Sequence, residues 1–543
     1  MEGKHITFNL IREEWIPVQR KDGTKEIIAP WQLTRGLESE NPIMELASPR
    51  PDFNGALIQF LIGIVQTTMP PKNERAWKNV LMNPPSPEVL KNTFEKVAHA
   101  FDLDGDGARF MQDYELKVED FKKKDEIPIE MLLLESQGRD LFIKSGNVKQ
   151  ICRPCLAMAL FTLQTNAPQG GRGHRTSLRG GGPLTTIVGG KHLWQKVWLN
   201  IIESEEFDNE EHGNAMKIND ADIFPWMAPA CTSENGREIS VSDVNPARVF
   251  WAVPRRVVVD YSQNEKDCVC DICGCSMRNP VSSYFTKSYG EAYGASWRHP
   301  LTPYYNNKKD KLPSHVNEGG ITYRYWPGSV FNSSEMGENA LTIHKFHERK
   351  MKLSYIDPLF KQESQICFFG YDIHNNILTR CWYEGQMPLI TIEEKFKNDY
   401  EHTVVQLVKI SEYIVSRIKS CIKIAIFDPE REMKGKFSFF SLVESRFWKD
   451  TESEFYDILH ELHEIVLNGE DKVEIKLKWL KYLSNKALDL FDEYSQSDFM
   501  GIANPKRIAD ARKNLRKYNS KNWKTVREIL VLPLDNSTNE KYR

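Results

Sequence analysis

The sequence predicts an α+β protein: a large mixed α/β N-terminal domain with short sheets and long loops over 1–395, then a C-terminal four-helix bundle over 396–543. Three observations carry this. Residues 240–395 are rich in Val, Tyr, Trp, Phe and turn formers, the composition of short strands joined by long loops. Near 395 glycine and proline thin out, and apolar residues begin to recur at three- and four-residue spacing. Two Cys-x-x-Cys pairs, Cys152/Cys155 and Cys270/Cys273, stand far apart in the chain, each with the spacing at which two thiolates grip one tetrahedral ion.

The elements follow in order. Ile6–Ile11, Trp15–Val18 and Lys25–Ile28 read as a short hairpin turning at Asp22-Gly23. Asn54 to Met69 is dense enough in apolar residues for a buried helix, stopped by Pro70-Pro71. Ala157 to Leu163 reads as a further buried helix or strand. Candidate C-terminal helices run from about Asn398 to Ile426, Phe439 to Ile465, Lys472 to Tyr494, and from Pro505 onward. In the first, Val404, Leu407, Val408, Ile414, Ile418, Cys421 and Ile422 make one apolar face, and four such helices suggest a bundle. Proline suits the first turn of the last helix.

Length suggests about two to four domains. The net charge of −3 excludes a surface wholly devoted to nucleic acid and leaves room for local basic patches. The N-terminus lacks a signal-peptide layout, and no run approaches the roughly 18 apolar residues of a membrane span. A cytoplasmic protein with no membrane partner is expected. In such a chain the spacing of the cysteines points to metal or redox chemistry rather than to a disulfide framework.

One local patch stands out. From Leu141 to Ile202 there is no Asp or Glu, although the chain holds 75 of them. The stretch contains Lys144, Lys149, Arg153, Arg172, Arg175, Arg179, Lys191 and Lys196, and reads as an electropositive surface suited to phosphates. Inside it runs Gly170-Gly171-Arg172-Gly173-His174-Arg175, continuing to Gly180-Gly181-Gly182. Glycines let a backbone approach a ligand while the basic residues supply charge. No Gly-Lys-Ser/Thr ends the loop, so it is not a nucleotide-binding Walker loop. Contact with a polynucleotide and a plain surface loop both remain open. Tyr284 to Lys311 interleaves aromatic and basic residues, a pattern for stacking bases that also suits a core.

After Pro505 come Lys506, Arg507, Arg512, Lys513, Arg516, Lys517, Lys521, Lys524 and Arg527. These fit a solvated helix face or a phosphate-tracking surface equally well. Four cysteine ligands would leave no open coordination position, so a Zn²⁺ held by Cys152, Cys155, Cys270 and Cys273 is structural; Cys268 and Cys275 are alternative ligands, and a redox pair is the competing reading.

Several segments together resemble the CasA family, the large subunit of the type I-E CRISPR surveillance complex Cascade. They are Asn9-Leu10-Ile11 with Trp15-Ile16-Pro17-Val18, the paired cysteine knuckles, and Asn166-Ala167-Pro168 through the glycine run to Pro183-Leu184-Thr185-Thr186. Trp297-Arg298-His299-Pro300, Gly370-Tyr371-Asp372-Ile373-His374-Asn375-Asn376 and Arg380-Cys381-Trp382-Tyr383-Glu384 follow in order. The resemblance implies a non-catalytic DNA reader that checks the short protospacer-adjacent motif (PAM) while guide RNA reads the target.

By position, the resemblance assigns PAM contact in the minor groove to Gln169, Gly170, Gly171, Arg172 and Gly173, to Lys287, and to a wedging turn at His374, Asn375 and Asn376. It assigns contact with the guide RNA end and a neighbouring subunit to Phe142, Ile143 and Lys144. Arg512, Lys513, Arg516 and Lys517 would face the displaced strand. Family members can carry glycine where Gln169 and Arg172 stand, and glutamine at Asn375. The implied partners are the backbone, small and guide-end-capping subunits, CRISPR RNA, double-stranded target DNA and a helicase–nuclease. The competing class is a metal-dependent nuclease. It would need clustered carboxylates or histidines, and only His344, His347 and Glu348 lie close together, on an amphipathic segment.

Overall fold

The structure is a computed structural model describing residues 7–137, 146–171, 173–207, 219–261, 267–307, 310–332, 337–353, 364–375, 377–427, 438–496 and 504–533. The chain divides into two units. One comprises Met1–Asn317 with Asn332–Leu389, the other Glu318–Phe331 with Ile390–Arg543.

In the N-terminal unit, two apolar helices build the core. Pro51–Thr68 starts on a proline, carries Asp52 in its first turn and ends before Pro70-Pro71. It packs against Arg153–Asn166, which resolves the helix-or-strand ambiguity over 157–163 in favour of helix. Phe60 sits at the centre, with Trp15, Phe101, Phe110, Phe161 and Trp251 edge-on around it at centroid distances of 5.4 to 6.0 Å. Such contacts add to simple area burial. Asp52 is buried but compensated: Arg50 Nε donates to it at 2.9 Å and Tyr371 Oη at 2.7 Å.

The hairpin forms from Ile16–Arg20 and Lys25–Ile28, with Gly23 at φ +87°, and a third strand, Ile43–Leu46, pairs on the other side of Ile16–Arg20. Residues 9–12 do not extend as the sequence suggests. Asn9 Oδ1 accepts the backbone N–H groups of Ile11 and Arg12 at 3.0 and 3.2 Å, and this side-chain turn displaces a strand ladder.

Two further small sheets position the candidate site. Thr185–Val188, Ser364–His374 and Leu378–Leu389 form an antiparallel sheet with Ser364–His374 in the middle. Ser283–Lys287 lies between Ile127–Pro128 and Arg256–Val259, with Arg256 opposite Lys287.

The C-terminal unit holds helices Glu394–Ile426, Ser438–Asn468, Val473–Gln496, Pro505–Tyr518 and Lys524–Leu530, and the first touches each of the others. Glu318–Phe331 joins them through Tyr323. Its ring stacks on Phe455 at 4.2 Å, and its hydroxyl lies 3.0 Å from Thr451 Oγ1. The single helix expected from Pro505 onward is broken. Asn519 ends the first piece, Trp523 N–H turns back to Ser520 O at 2.9 Å, and the Tyr518 and Trp523 rings pack at 5.0 Å across the bend. Among the described residues no helix is long and apolar enough to cross a membrane.

Candidate metal centre and nucleic-acid interface

Cys152 lies just before the helix Arg153–Asn166, in extended backbone, so the helix start aims its thiol and that of Cys155 toward one point. Cys270 and Cys273 arrive on a knuckle after the short strand Cys268–Val269, turned by Gly274, whose N–H donates to Cys270 O at 2.9 Å. The four sulfurs lie within 4.8 Å of one another, and Cys152 Sγ is 3.6 Å from Cys273 Sγ. Tetrahedral Zn–S bonds of about 2.3 Å put sulfurs about 3.8 Å apart, so the donor set fits the ion. Cys268 is excluded from the cluster, its thiol facing Met277 O at 3.6 Å.

A supporting shell surrounds the thiols. Cys152 N–H donates to Cys270 Sγ at 3.4 Å, and Asp271 Oδ2 accepts the N–H groups of Lys149 and Gln150 at 2.7 and 2.9 Å. Hydrogen bonds from Cys152 and then Cys155 hold the Cys270 thiol well below its ordinary range. Among the described residues this is the one cluster of His, Cys, Asp and Glu with metal-ligand geometry. His344 instead pairs with Glu348 at 3.4 Å, and Glu348 with Lys345 at 3.0 Å, on the helix Leu341–Leu353.

The acid-free stretch does not form one charged surface. Arg153 pairs with Asp104 at 2.5 Å, and Arg175 donates to Ser233 Oγ at 2.8 Å. Arg179 is buried, donating to Gln59 Oε1 at 2.6 Å, Thr302 Oγ1 at 3.0 Å and Thr185 Oγ1 at 3.1 Å. Burial pushes its pKa down to about 10. Acids elsewhere in the chain, and neutral acceptors, satisfy charges that look unpaired in the local sequence. Phe142, Ile143 and Lys144 lie outside the described residues, as do Arg172 and Asn376.

The glycine loop is a tight exposed turn. Gln169, Gly170 and Gly171 are exposed, and His174 N–H closes on Gly171 O at 3.0 Å. Arg255 backs the loop by donating to Pro168 O. Gly173 has φ +80°, and a Cβ there would lie 2.9 Å from Ser288 Cβ and 3.1 Å from Tyr289 N. Its carbonyl accepts Tyr289 N–H at 2.7 Å. This contact brings in Lys287, exposed at the end of Ser283–Lys287.

The opposite end of the glycine run meets the long hairpin. Gly182, at φ +62°, leaves 2.5 Å between a built Cβ and Tyr371 O, so only glycine permits the approach. Tyr371 belongs to the strand that ends at His374. Asn375 then turns in the left-handed region at φ +52°, and Ile377 N–H returns to His374 O at 3.1 Å. Asparagine tolerates that conformation better than most residues. Sequence reasoning missed two contributors, Arg255 and Ile377, whereas Tyr289 lies in the aromatic and basic stretch Tyr284 to Lys311 that reads as a base-stacking pattern or a core. Ile377 is 62 % exposed at the hairpin tip. An apolar residue after Asn375-Asn376 was its available signal; nothing local marks Arg255.

The basic residues after Pro505 have mixed duties. Arg507 caps the first long helix, donating to Ala425 O and Ile426 O at 3.0 and 3.1 Å. Arg512 makes a two-pronged pair with Asp492, both bonds 2.7 Å. Lys517 lies 5.5 Å from the Trp523 ring centre, and Lys513 and Arg516 are exposed.

Solved structures share this fold. CasA of Thermus thermophilus is 16% identical, with TM-score 0.68, over 94% of this chain and 100% of that one. Thermobifida fusca Cse1 is 15% identical, with TM-score 0.68, over 97% and 98%. A chain of a CRISPR RNA-guided surveillance complex is 15% identical, with TM-score 0.66, over 94% and 99%. A family profile described as CRISPR-associated protein Cse1 matches residues 9–490. The thiol cluster, the glycine loop and the long C-terminal helices therefore stand in a chain that belongs to the Cse1 family, the large subunit of Cascade.

Proposed function

We propose that this chain is a non-catalytic, cytoplasmic subunit of a type I-E surveillance complex that reads the PAM of duplex DNA through the minor groove and starts its opening. The observation that carries the reading is the junction of the glycine loop with Tyr289, which sets Lys287 beside an exposed turn. In this reading Gln169–Gly173 enters the groove, Lys287 meets phosphate or a base edge, and the tip His374–Asn376 wedges the base pairs apart. Minor-groove readout is degenerate, so several related motifs are accepted. Unstacking costs a few kcal/mol per step, offset by guide pairing.

In the same reading Phe142–Lys144 contacts the guide RNA end and a neighbour. The C-terminal helices form a four-helix bundle, the last helix bent, that presents Arg512, Lys513, Arg516 and Lys517 to the displaced strand. The assembled complex recruits the helicase–nuclease. Zn²⁺ on Cys152, Cys155, Cys270 and Cys273 acts as a staple, since four thiolates leave no position for substrate.

A PAM-library selection with the reconstituted complex tests the proposal. Enrichment of a short flanking motif that disappears with Lys287→Ala is expected; retention of an unchanged motif by that variant overturns the assignment of Lys287.

A further inference from the structure

Two lysines of the acid-free stretch, Lys191 and Lys196, take no part in the candidate interface and line a separate cavity of about 540 Å³ in the N-terminal unit. Arg20 enters it from the end of the first strand and Lys21 from the turn that follows, and Glu45 is its single lining carboxylate. Arg20 is engaged with Glu26 at 2.8 Å. Lys21, Lys191 and Lys196 have no carboxylate partner among the described residues. Three open ammonium groups in a concavity focus positive potential. His192 senses it: burial first, then Lys191 and Lys196, push its pKa down to about 4.

The rim is built rather than floppy. Lys191 N–H donates to Gln195 Oε1 at 2.6 Å, and a Cβ at Gly190 would lie 2.5 Å from the backbone nitrogen of Lys196. A second cavity of about 420 Å³ shares Glu45, Lys196, Cys367 and Gln386 with the first, then continues over Ile58, Ile187, Leu193 and Trp382, with Glu384 as its one further carboxylate. Trp382 Nε1 is buried there without an acceptor.

The cleft thus has a cationic end and a mostly apolar end that carries the carboxylate of Glu384, so the acidic groups of a ligand belong at the lysine end. A polynucleotide would use only the cationic end, and the Trp382 ring is packed against Gly55, Phe369 and Tyr371 rather than free to stack a base. A polypeptide carrying carboxylates beside a bulky apolar side chain matches both ends.

We infer that the joined cavities dock an acidic polypeptide segment of a partner protein, its carboxylates on Lys21, Lys191 and Lys196 and its apolar side chain toward Trp382. The inference rests on the proposed membership of a surveillance complex only for its choice of partners.

The test places a photo-crosslinking amino acid at Gln386 in the full chain and irradiates the reconstituted complex, with and without the helicase–nuclease. The expected product is a crosslink to one acid-bearing segment of a partner polypeptide, reduced about tenfold by Lys191→Gln with Lys196→Gln. Unchanged melting and zinc content certify the fold of that variant, and single substitutions replace it if it unfolds. Crosslinks to nucleic acid alone, to a segment without acids, or none in a complex that assembles normally overturn the inference, as does a yield insensitive to the lysines. Failure of the unsubstituted chain to assemble counts instead against the subunit reading.

Discussion

The carbonyl of Gly173 accepts the N–H of Tyr289 at 2.7 Å, and both residues hold positive φ, +80° and +65°. Tyr289 pays for a conformation that glycine adopts freely, so the contact fixes the glycine loop against the segment carrying Lys287.

Gly173→Ala should disrupt this junction. The added methyl would sit 2.9 Å from Ser288 Cβ on a backbone at φ +80°. Left-handed strain of about 1–2 kcal/mol corresponds to roughly fivefold to thirtyfold weaker capture of PAM-bearing duplex by the assembled complex. Gly171→Ala meets nothing within 4 Å inside the chain, so it should leave the melting temperature unchanged, and any loss of duplex capture by it reports contact of the loop with DNA rather than damage to the junction. Gel-shift titrations of the two variants side by side make the comparison.

Lys287→Ala and Asn375→Ala should weaken capture of intact duplex while pre-melted targets bind nearly normally. For Lys287 the slope of log affinity against log salt should also fall by about one. At Asn375, with φ +52°, glycine should preserve more activity than valine. Equal losses on both substrates would indicate damaged assembly.

Zinc content should distinguish the cysteines. Cys152→Ser should lose the ion and lower the melting temperature, because the staple joins segments far apart in the chain. Cys268→Ser should retain full stoichiometry, since that thiol faces Met277 O at 3.6 Å. Metal analysis of the purified chain with thermal melts reads both.

Glu401 should give the C-terminal unit a pH-dependent stability. Burial, opposed by Lys397 and aided by Glu394, pushes its pKa up from 4.5 to about 7. Folding therefore favours the protonated form, a contribution fully present below pH 4.5 and lost as pH rises through about 7. Glu401→Gln should flatten this slope and raise the melting temperature at pH 8. Melts at pH 5 and pH 8 check it.

Part of the site was legible because its chemistry is local. The Cys-x-x-Cys spacing marks a metal knuckle wherever it occurs, and the four thiols do converge within 4.8 Å. The electropositive surface was misread for the opposite reason. Arg153 and Arg179 find Asp104 and Gln59, partners distant in sequence, and no window along the chain reveals them.

By itself the sequence determined the mixed α/β character, the long amphipathic C-terminal helices and the resemblance to the CasA family, because periodicity, turn residues and ordered motifs are properties of short stretches. Tertiary structure alone decided that Tyr323 enters the C-terminal core, that the last basic helix breaks at Asn519, and that Gly173 rests on Tyr289. These depend on which surfaces exclude water together and which backbone groups then need partners, and long-range packing settles both.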